Sequence, residues 1–278
     1  MKPNEIITKK IIEQLEKGVI PWVRPWAQKH KPINAVTKTC YHGVNFFLLS
    51  FTPYAQNCFL TFNQAKNAGG VVKSGEHGYP VVFWTLRSVD SINKKGEVEE
   101  KEIPYMRYYT VFNIEQCELP EKFKELLPKQ TEFNPIEKAE SIVSGYKDKP
   151  KIINEEHRAF YEVKKDYINM PKRELFTDNN GYYQTLFHEL THSTGHANRL
   201  NRNLPENINR NSDGYSFEEL IAELGSAFLC AESGINTTVE NSARYIKGWL
   251  EVLKNDNNFI IKASSKAQKA YDYIVPAN

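Results

Sequence analysis

The stretch LFHELTHSTGH, residues 186–196, contains three of the seven histidines of this 278-residue chain within nine positions. On a helix, His188 and His192 lie one turn apart on the same face, with about 5–6 Å between their Cβ atoms. Two imidazoles at that spacing can bind one metal ion, whereas a random order of the residues would give only about 0.02 copies of the pattern His-Glu-x-x-His. Asn179 or Asn180 can cap the start of such a helix. The stretch therefore predicts a helix that carries a metal site.

Glu189 directly follows the first of these histidines. A zinc ion held by imidazoles lowers the pKa of a bound water to about 7, and a neighbouring carboxylate can then remove a proton from that water. This is the arrangement of zinc peptidases with the HExxH motif. We therefore expect His188 and His192 as metal ligands, Glu189 as the catalytic base, and Zn²⁺ or another divalent ion as the cofactor.

Two residues compete for the role of third metal ligand. His196 follows the helix closely and would have to bend back sharply to reach the same ion. In SFEELIAELGSAFL, residues 216–229, Glu219 and Glu223 lie one helical turn apart, and we favour Glu219 as the ligand and Glu223 as the partner that orients a histidine. Alternatively, Glu219 forms only a capping box with Ser216. Three small residues of this stretch would let another helix approach closely: Ala222, Gly225 and Ser226.

The composition is that of a globular chain, with 40% hydrophobic and 25% charged residues. The four cysteines are widely spaced, which argues against a disulfide framework and indicates a reducing, cytoplasmic environment. The N-terminus lacks the apolar region of a signal peptide, and no apolar run reaches the roughly 18 residues of a membrane span. The sequence thus predicts a cytoplasmic protein that does not enter a membrane.

The order of predicted elements indicates an α+β protein with two domains. Prolines and charges cluster in residues 117–135, so we place the boundary after residue 130. Residues 1–130 should form a small α/β domain, and residues 131–278 a mainly helical domain with a small β-sheet. In the first domain we expect an amphipathic helix with Ile7, Ile11 and Leu15 on one face, a turn or short buried element in residues 34–51, a capped helix in residues 61–70, and a strand, charged hairpin loop and second strand in residues 79–114.

In the second domain the pattern predicts a helix at residues 135–143 and strands at residues 151–154 and 161–171, the latter as an edge on which an extended substrate could lie. Helices should follow at residues 180–194, at residues 217–232 and as a C-terminal pair.

Positive charge is concentrated at the N-terminal end. Residues 1–87 hold eleven Lys and Arg against four Asp and Glu, a net charge of +7 in a chain whose total is +2. In PWVRPW, Arg24 lies between Trp22 and Trp26, and aromatic rings interleaved with cations are typical of single-strand DNA binding. Four lysines could neutralise phosphates: Lys29, Lys31, Lys66 and Lys73. Alternatively, the tryptophans are core residues and the lysines an ordinary solvated face.

Several ordered motifs together resemble the ArdC-type antirestriction proteins of conjugative plasmids and mobile elements. They are PWVRPW, TFNQAKNAGGVVKSGEHGYPVVFW, FNIEQCEL, YYQTLFHELTHSTGHANRLNR and EELIAELGSAFL. The resemblance implies an N-terminal domain that binds single-stranded DNA, a C-terminal zincin-like metallopeptidase domain, and protection of incoming DNA from host restriction. His188, Glu189 and His192 match the metal motif of that family.

These observations lead to a ranked set of functions. The first is an antirestriction protein that binds single-stranded DNA and cleaves a protein substrate, with restriction components as candidates, at an HExxH zinc site. The second is a non-catalytic DNA-binding protein in which the zinc is structural. The third is a peptidase without a role in nucleic-acid binding.

Overall fold

The computed structural model describes residues 3–16, 31–50, 52, 54, 56–92, 98–121, 123, 135–176, 178–204, 213–235 and 246–275. Its helices in chain order are α1 (Pro3–Glu16), α2 (Val44–Ser50), α3 (Phe62–Asn67), α4 (Pro135–Gly145), α5 (Asn179–Ser193), α6 (Asp213–Ser233), α7 (Ile246–Asn255) and α8 (Phe259–Ile274). Its strands are β1 (Ile33–Asn34), β2 (Cys58–Thr61), β3 (Val71–Val72), β4 (Tyr79–Ile92), β5 (Val98–Asn113), β6 (Cys117–Glu118), β7 (Lys151–Ile153), β8 (Phe160–Glu162) and β9 (Tyr167–Asn169).

The N-terminal α/β region is built on a four-stranded sheet in the order β1-β2-β5-β4. β4 and β5 pair antiparallel over 14 residue pairs, which confirms the hairpin predicted around the charged loop. α3 begins with the predicted capping box. The Thr61 hydroxyl accepts a hydrogen bond from the backbone N–H of Gln64, and the Gln64 side chain accepts one from the backbone N–H of Thr61.

α2 is a helix where the sequence favoured a turn or a short buried element. Val44, Asn45 and Phe46 have only weak helix propensity, but burial decides the conformation here. Phe46 packs edge-on against Phe228 of α6, with 4.6 Å between the ring centroids. Leu49 is fully buried on the other side, in a small cluster with Phe59. Tertiary packing has therefore overridden the local propensity.

The C-terminal half contains a three-stranded sheet in the order β7-β9-β8, so that β8 is an edge strand. The prediction of a single strand over residues 161–171 is wrong, because the chain turns back at Asp166, which adopts a left-handed φ of 51°. The Arg199 guanidinium donates hydrogen bonds to both carboxylate oxygens of Asp166 at 2.8 Å. This ion pair stabilises the turn between β8 and β9.

Helices α5 and α6 pack closely where a glycine faces a threonine. A Cβ atom on Gly225 would lie 2.4 Å from Cγ2 and 2.7 Å from Oγ1 of Thr191. One residue further on, the Ser226 hydroxyl donates a hydrogen bond of 2.8 Å to the backbone carbonyl of Gln184. The close approach that the small residues of α6 predicted is confirmed.

One hydrophobic core is shared by the two halves of the chain. Its buried members include Ile7, Ile11, Leu15, Phe46, Val82, Phe228, Trp249, Leu253 and Tyr271. The backbone N–H of Gly43 also donates a 2.8 Å hydrogen bond to the side chain of Gln268. The expected α+β class, with an N-terminal α/β region and a mainly helical C-terminal domain, is confirmed. The predicted boundary between residues 130 and 131 lies outside the described residues.

Two expectations about the whole chain can be compared with the structure. All four cysteines fall within the described ranges, and all are free thiols, as their wide spacing predicted. Within those same ranges, no helix combines the length and the apolar character needed to cross a bilayer.

Replacing Gly225 by Ala should destabilise the protein, although alanine favours helices by about 1 kcal/mol over glycine. The added methyl group must displace Thr191, and overpacking of this kind costs about 1–3 kcal/mol. We expect a lower melting temperature by differential scanning calorimetry. Gly145→Ala is the matched control, since a Cβ at the end of α4 meets nothing within 4 Å. Equal stability of the two variants would contradict the close packing of α5 on α6.

Candidate metal centre

Helix α5 carries both histidines of the predicted motif. Asp178, one residue before the predicted cap, begins the helix by accepting a 2.8 Å hydrogen bond from the backbone N–H of Gly181. The predictions of Asn179 or Asn180 as cap are therefore wrong by one or two residues. Leu186, Phe187 and Leu190 are buried and anchor the helix in the core. This anchoring fixes the opposite face, where His188 and His192 lie.

His188, His192 and Glu219 bring three ligand atoms together. The Nε2 atoms of the two histidines are 3.1 Å apart, and each lies 3.5 Å from a carboxylate oxygen of Glu219. Ligand atoms arranged tetrahedrally at zinc–ligand distances of about 2.0–2.1 Å are about 3.3 Å apart. The two 3.5 Å distances go to different oxygens of the Glu219 carboxylate, and one ligand atom from each of the three residues lies within 4.8 Å of the others. The side chains can therefore converge on one divalent ion.

Carboxylates also contact the remaining ring nitrogens. Nδ1 of His188 lies 3.7 Å from Glu223, the residue predicted to orient a histidine. Nδ1 of His192 lies 3.3 Å from Glu218. Metal-binding histidines commonly direct the second ring nitrogen at a carboxylate, which fixes the ring orientation and the tautomer. Glu218 was not predicted from the sequence, because its contact with His192 depends on how α6 packs on α5.

Arg202 was also missed, and it holds Glu218 in place. Its guanidinium donates hydrogen bonds of 2.6 and 3.0 Å to the two carboxylate oxygens of Glu218. It also donates to the backbone carbonyl of Thr191 at 2.8 Å, at the C-terminal end of α5. A Cβ atom on Gly195 would lie 2.9 Å from this guanidinium. Gly195 therefore leaves room for the arginine that closes the helix end and positions the carboxylate beside His192.

The electrostatics of the cluster favour positive charge at its centre. Burial alone would lower the pKa of His192, but hydrogen bonds with Glu218 and Glu219 and the charge of Glu219 raise that pKa well above its usual value. His188 has a raised pKa for the same reason, mainly through Glu219. Burial would raise the pKa of Glu219, yet the two histidines hold it well below its usual range. Either protons on the imidazoles or a cation between them can supply this charge.

Glu189 lies beside the three grouped side chains but is not one of them. Burial raises the pKa of its carboxyl group, and the nearby His188 and His192 partly oppose this shift. The backbone of Tyr161 also lowers the pKa of this carboxyl group. Tyr161 belongs to the edge strand β8, and its hydroxyl donates a 2.7 Å hydrogen bond to Asp166. Glu189 thus lies beside both the candidate metal ligands and the edge strand.

Two alternatives from the sequence are not supported. His196 does not join the grouped ligand atoms. Its Nδ1 instead accepts a hydrogen bond from the backbone N–H of Asn198 at 3.3 Å. Glu219 does not close a capping box with Ser216, because α6 begins at Asp213 and Ser216 lies inside the helix. Glu219 is therefore free to face α5.

The residues expected to bind DNA are only partly described. Trp22, Arg24, Trp26 and Lys29 lie outside the described residues. Lys66 is exposed on α3, and Lys73 is exposed while its ammonium group donates a 2.9 Å hydrogen bond to the backbone carbonyl of Glu115. Lys31 differs from the expectation: its ammonium group is 3.3 Å from the Glu232 carboxylate and 4.9 Å from the centre of the Tyr271 ring. That lysine pairs with the C-terminal helices.

Two family profiles match different parts of the chain. Residues 1–112 match the N-terminal domain of the anti-restriction factor ArdC, and residues 137–266 match a zincin-like metallopeptidase. Among solved structures, the chain resembles the metal-free antirestriction ArdC protein from the R388 plasmid at 35% identity and a TM-score of 0.76, covering 98% of this chain and 96% of that one. A Mn(II)-bound structure of the same protein gives 34% identity and a TM-score of 0.74, covering 99% of this chain and 97% of that one.

Curated relatives extend this similarity to longer proteins. A DNA primase TraC from Escherichia coli is 33% identical over 98% of this chain, which spans only 20% of the length of that primase. An uncharacterized protein, y4eC of Sinorhizobium fredii (strain NBRC 101917 / NGR234), is 32% identical over 97% of this chain and 90% of its own length. Similarity therefore covers both halves of the chain at once.

Removing the carboxylate of Glu219 should separate the two candidates for the third ligand. We expect Glu219→Ala to lose stoichiometric Zn²⁺ or Mn²⁺, because its oxygens lie 3.5 Å from both imidazoles. Glu223→Gln should weaken the affinity by about 10- to 100-fold, and His196→Ala, the matched control, should bind like wild type. Elemental analysis and isothermal titration calorimetry provide the measurements. Full metal content in Glu219→Ala together with loss in His196→Ala would reverse the assignment.

Proposed function

The chain belongs to the family of ArdC antirestriction proteins, and on this basis we propose that it protects transferred DNA from restriction. In this proposal the N-terminal α/β region binds single-stranded DNA, and the C-terminal domain is a metal-dependent peptidase. One observation supports the peptidase most directly: His188, His192 and Glu219 converge beside the buried carboxyl group of Glu189. The metal is Zn²⁺ or another divalent ion such as Mn²⁺.

His188, His192 and Glu219 would hold the ion, with Glu218 and Glu223 orienting the imidazoles. A divalent ion in such a site supplies Lewis acidity, which polarises carbonyl and water oxygens. Arg202 neutralises part of the acidic charge next to His192, since its guanidinium lies 2.6 Å from a Glu218 oxygen. The imidazoles are then held with their Nε2 atoms facing each other.

Glu189 acts in this proposal as the base and then as the acid. Its carboxylate takes a proton from the water that attacks the scissile carbonyl, and the same group later gives that proton to the leaving amine. Burial raises the pKa of Glu189, which brings it closer to neutrality, where a carboxyl group can both accept and release a proton. The protein substrate is one that acts on the same DNA, and a component of restriction fits that requirement.

The edge strand β8 is the proposed binding place of the substrate backbone. A peptide that adds to a sheet edge forms main-chain hydrogen bonds in an extended conformation. Because the backbone of Tyr161 in β8 is close enough to Glu189 to influence its pKa, a peptide along this edge would pass near the proposed base. The Asp166–Arg199 ion pair holds the turn of this hairpin rigid.

Replacing Glu189 by Gln tests whether this residue acts in cleavage rather than in metal binding. We expect the variant to retain its metal, since Glu189 is not among the grouped ligands, and to lose at least about 10²-fold in cleavage rate, because the amide cannot accept the proton. Cleavage of restriction proteins incubated with the purified chain, followed by mass spectrometry, measures this. His192→Ala is the control that should lose metal and cleavage together. Undiminished cleavage by Glu189→Gln would remove its role as the base.

A non-catalytic protein with a structural metal is the second candidate. The observation that favours it is the shared core, because α1 and α2 pack on the helices that include the metal-bearing α6. A metal that stabilises α5 against α6 would then stabilise the DNA-binding half as well. In this case Glu189→Gln would leave antirestriction in a conjugation assay unchanged, whereas His188→Ala would abolish it and lower the melting temperature.

Binding of single-stranded DNA should depend on salt. Each phosphate that a lysine or arginine neutralises contributes about −0.7 to the slope of log affinity against log salt. We expect a negative slope for wild type and a slope smaller by about 0.7 for Lys66→Gln. Lys151→Gln, an exposed lysine on β7, serves as the control and should keep the wild-type slope. Mobility-shift titrations at several salt concentrations give these values, and binding without any slope would contradict an electrostatic interface.

A further inference from the structure

The β4–β5 ribbon extends well beyond the sheet from which it starts. β2 pairs only with Val111, Phe112 and Asn113 of β5, whereas β4 pairs with β5 along all 14 positions. Most of the ribbon is therefore two-stranded. A two-stranded ribbon in water is at best marginally stable, so it needs packing on at least one face.

Even-numbered residues of the ribbon supply that packing near its base. Val82 is buried in the main core, and Met106 packs against the same core. The Asn45 side chain of α2 accepts a 2.7 Å hydrogen bond from the backbone N–H of Val82 and donates one to its carbonyl. Since side chains alternate between the faces of a strand, odd-numbered residues lie on the other face. This face is buried at its base, where Val81 and Val111 cluster with Leu49 and Phe59.

The odd-numbered face carries aromatic rings and guanidinium groups in a row. Phe83 and Tyr109 stack face to face, with 4.4 Å between centroids and 6° between ring planes. Further along, the guanidinium carbons of Arg87 and Arg107 lie 5.9 and 5.8 Å from the centre of the Tyr105 ring. We call these five residues the stacking face.

The rings of the stacking face are open to solvent. Tyr105 is 44% exposed and Tyr109 is 52% exposed. Arg87 and Arg107 are exposed too, and among the described side chains neither forms an ion pair with a carboxylate. Aromatic rings and positive charge thus occur together on the exposed part of this face.

The described acidic side chains of the ribbon lie on the other face. Asp90 and Glu102 are both exposed and both have even numbers, so they lie on the opposite face. Tyr108 is also on the opposite face, with a similar exposure of 48%. The distribution of charge therefore distinguishes the two faces of one ribbon.

We propose that the stacking face, Phe83, Arg87, Tyr105, Arg107 and Tyr109, binds unpaired bases and phosphates of single-stranded DNA. Bases of any sequence can stack on tyrosine rings, and guanidinium groups beside the rings can contact the phosphates. The bases of a duplex stack on one another and cannot use these rings. This inference rests on the proposed DNA-binding function. It assigns that function to residues other than the tryptophans, arginine and lysines predicted from the sequence.

The test compares single substitutions on the two faces of the ribbon. The probe is a fluorescently labelled oligothymidylate of about 16 nucleotides, titrated by anisotropy with the full-length protein. We expect Tyr105→Ala and Tyr109→Ala each to weaken binding about tenfold or more, and Tyr105→Phe to retain most of the affinity because it keeps the ring. Tyr108→Ala is the matched control and should bind like wild type.

Two further measurements separate stacking from general effects. Affinity for a blunt duplex should be the same for wild type and Tyr105→Ala, and each of Arg87→Gln and Arg107→Gln should reduce the single-strand salt slope by about 0.7. Melting temperatures identify any variant that fails to fold, and the salt slopes of Arg87→Gln and Arg107→Gln then carry the test. If wild type does not bind the oligonucleotide, the proposed DNA-binding function fails and this inference with it. If wild type binds while Tyr105→Ala and Tyr109→Ala bind equally tightly, or Tyr108→Ala loses as much, only the stacking face is refuted.

Discussion

The arrangement of the candidate metal centre depends on how closely α6 approaches α5. The contact between Gly225 and Thr191 sets that distance, since any side chain at residue 225 would meet the threonine. Glu219 lies on the same helix as this glycine, and His188 and His192 lie on the partner helix. A separation larger by the size of one methyl group would take the carboxylate out of reach of both imidazoles. The ligand set is therefore a consequence of helix packing as much as of the motif itself.

Three carboxylates on one helix would repel one another in a buried site without compensating charge. Glu218, Glu219 and Glu223 are all less than 10% exposed, and the loss of hydration makes such charges costly unless they are paired. Arg202 lies 2.6 Å from Glu218, while the two histidines contact Glu219. The local charge is thus balanced residue by residue, which explains why an arginine from the following loop belongs to the centre.

Much of the centre could be predicted from the sequence, because helical periodicity determines the spacing of His188 and His192 and the small residues of α6 indicate a close helix neighbour. Arg202 could not be predicted, since its role depends on how the loop after Gly195 returns across the end of α5. The turn at Asp166 was missed because an aspartate in the left-handed region depends on its partner Arg199. α2 was missed for a similar reason, as its conformation comes from burial against α6.

The mixed core of α1, α2 and the C-terminal helices has a consequence for how such proteins can be dissected or recombined. Separating the two halves would remove Ile7, Ile11 and Leu15 from their packing partners and expose an apolar surface on each fragment. Replacing one half by that of a distant homologue would also expose or overpack this core, because side chains from both halves must pack together in it. Substitutions in their common interior must therefore be matched on both sides.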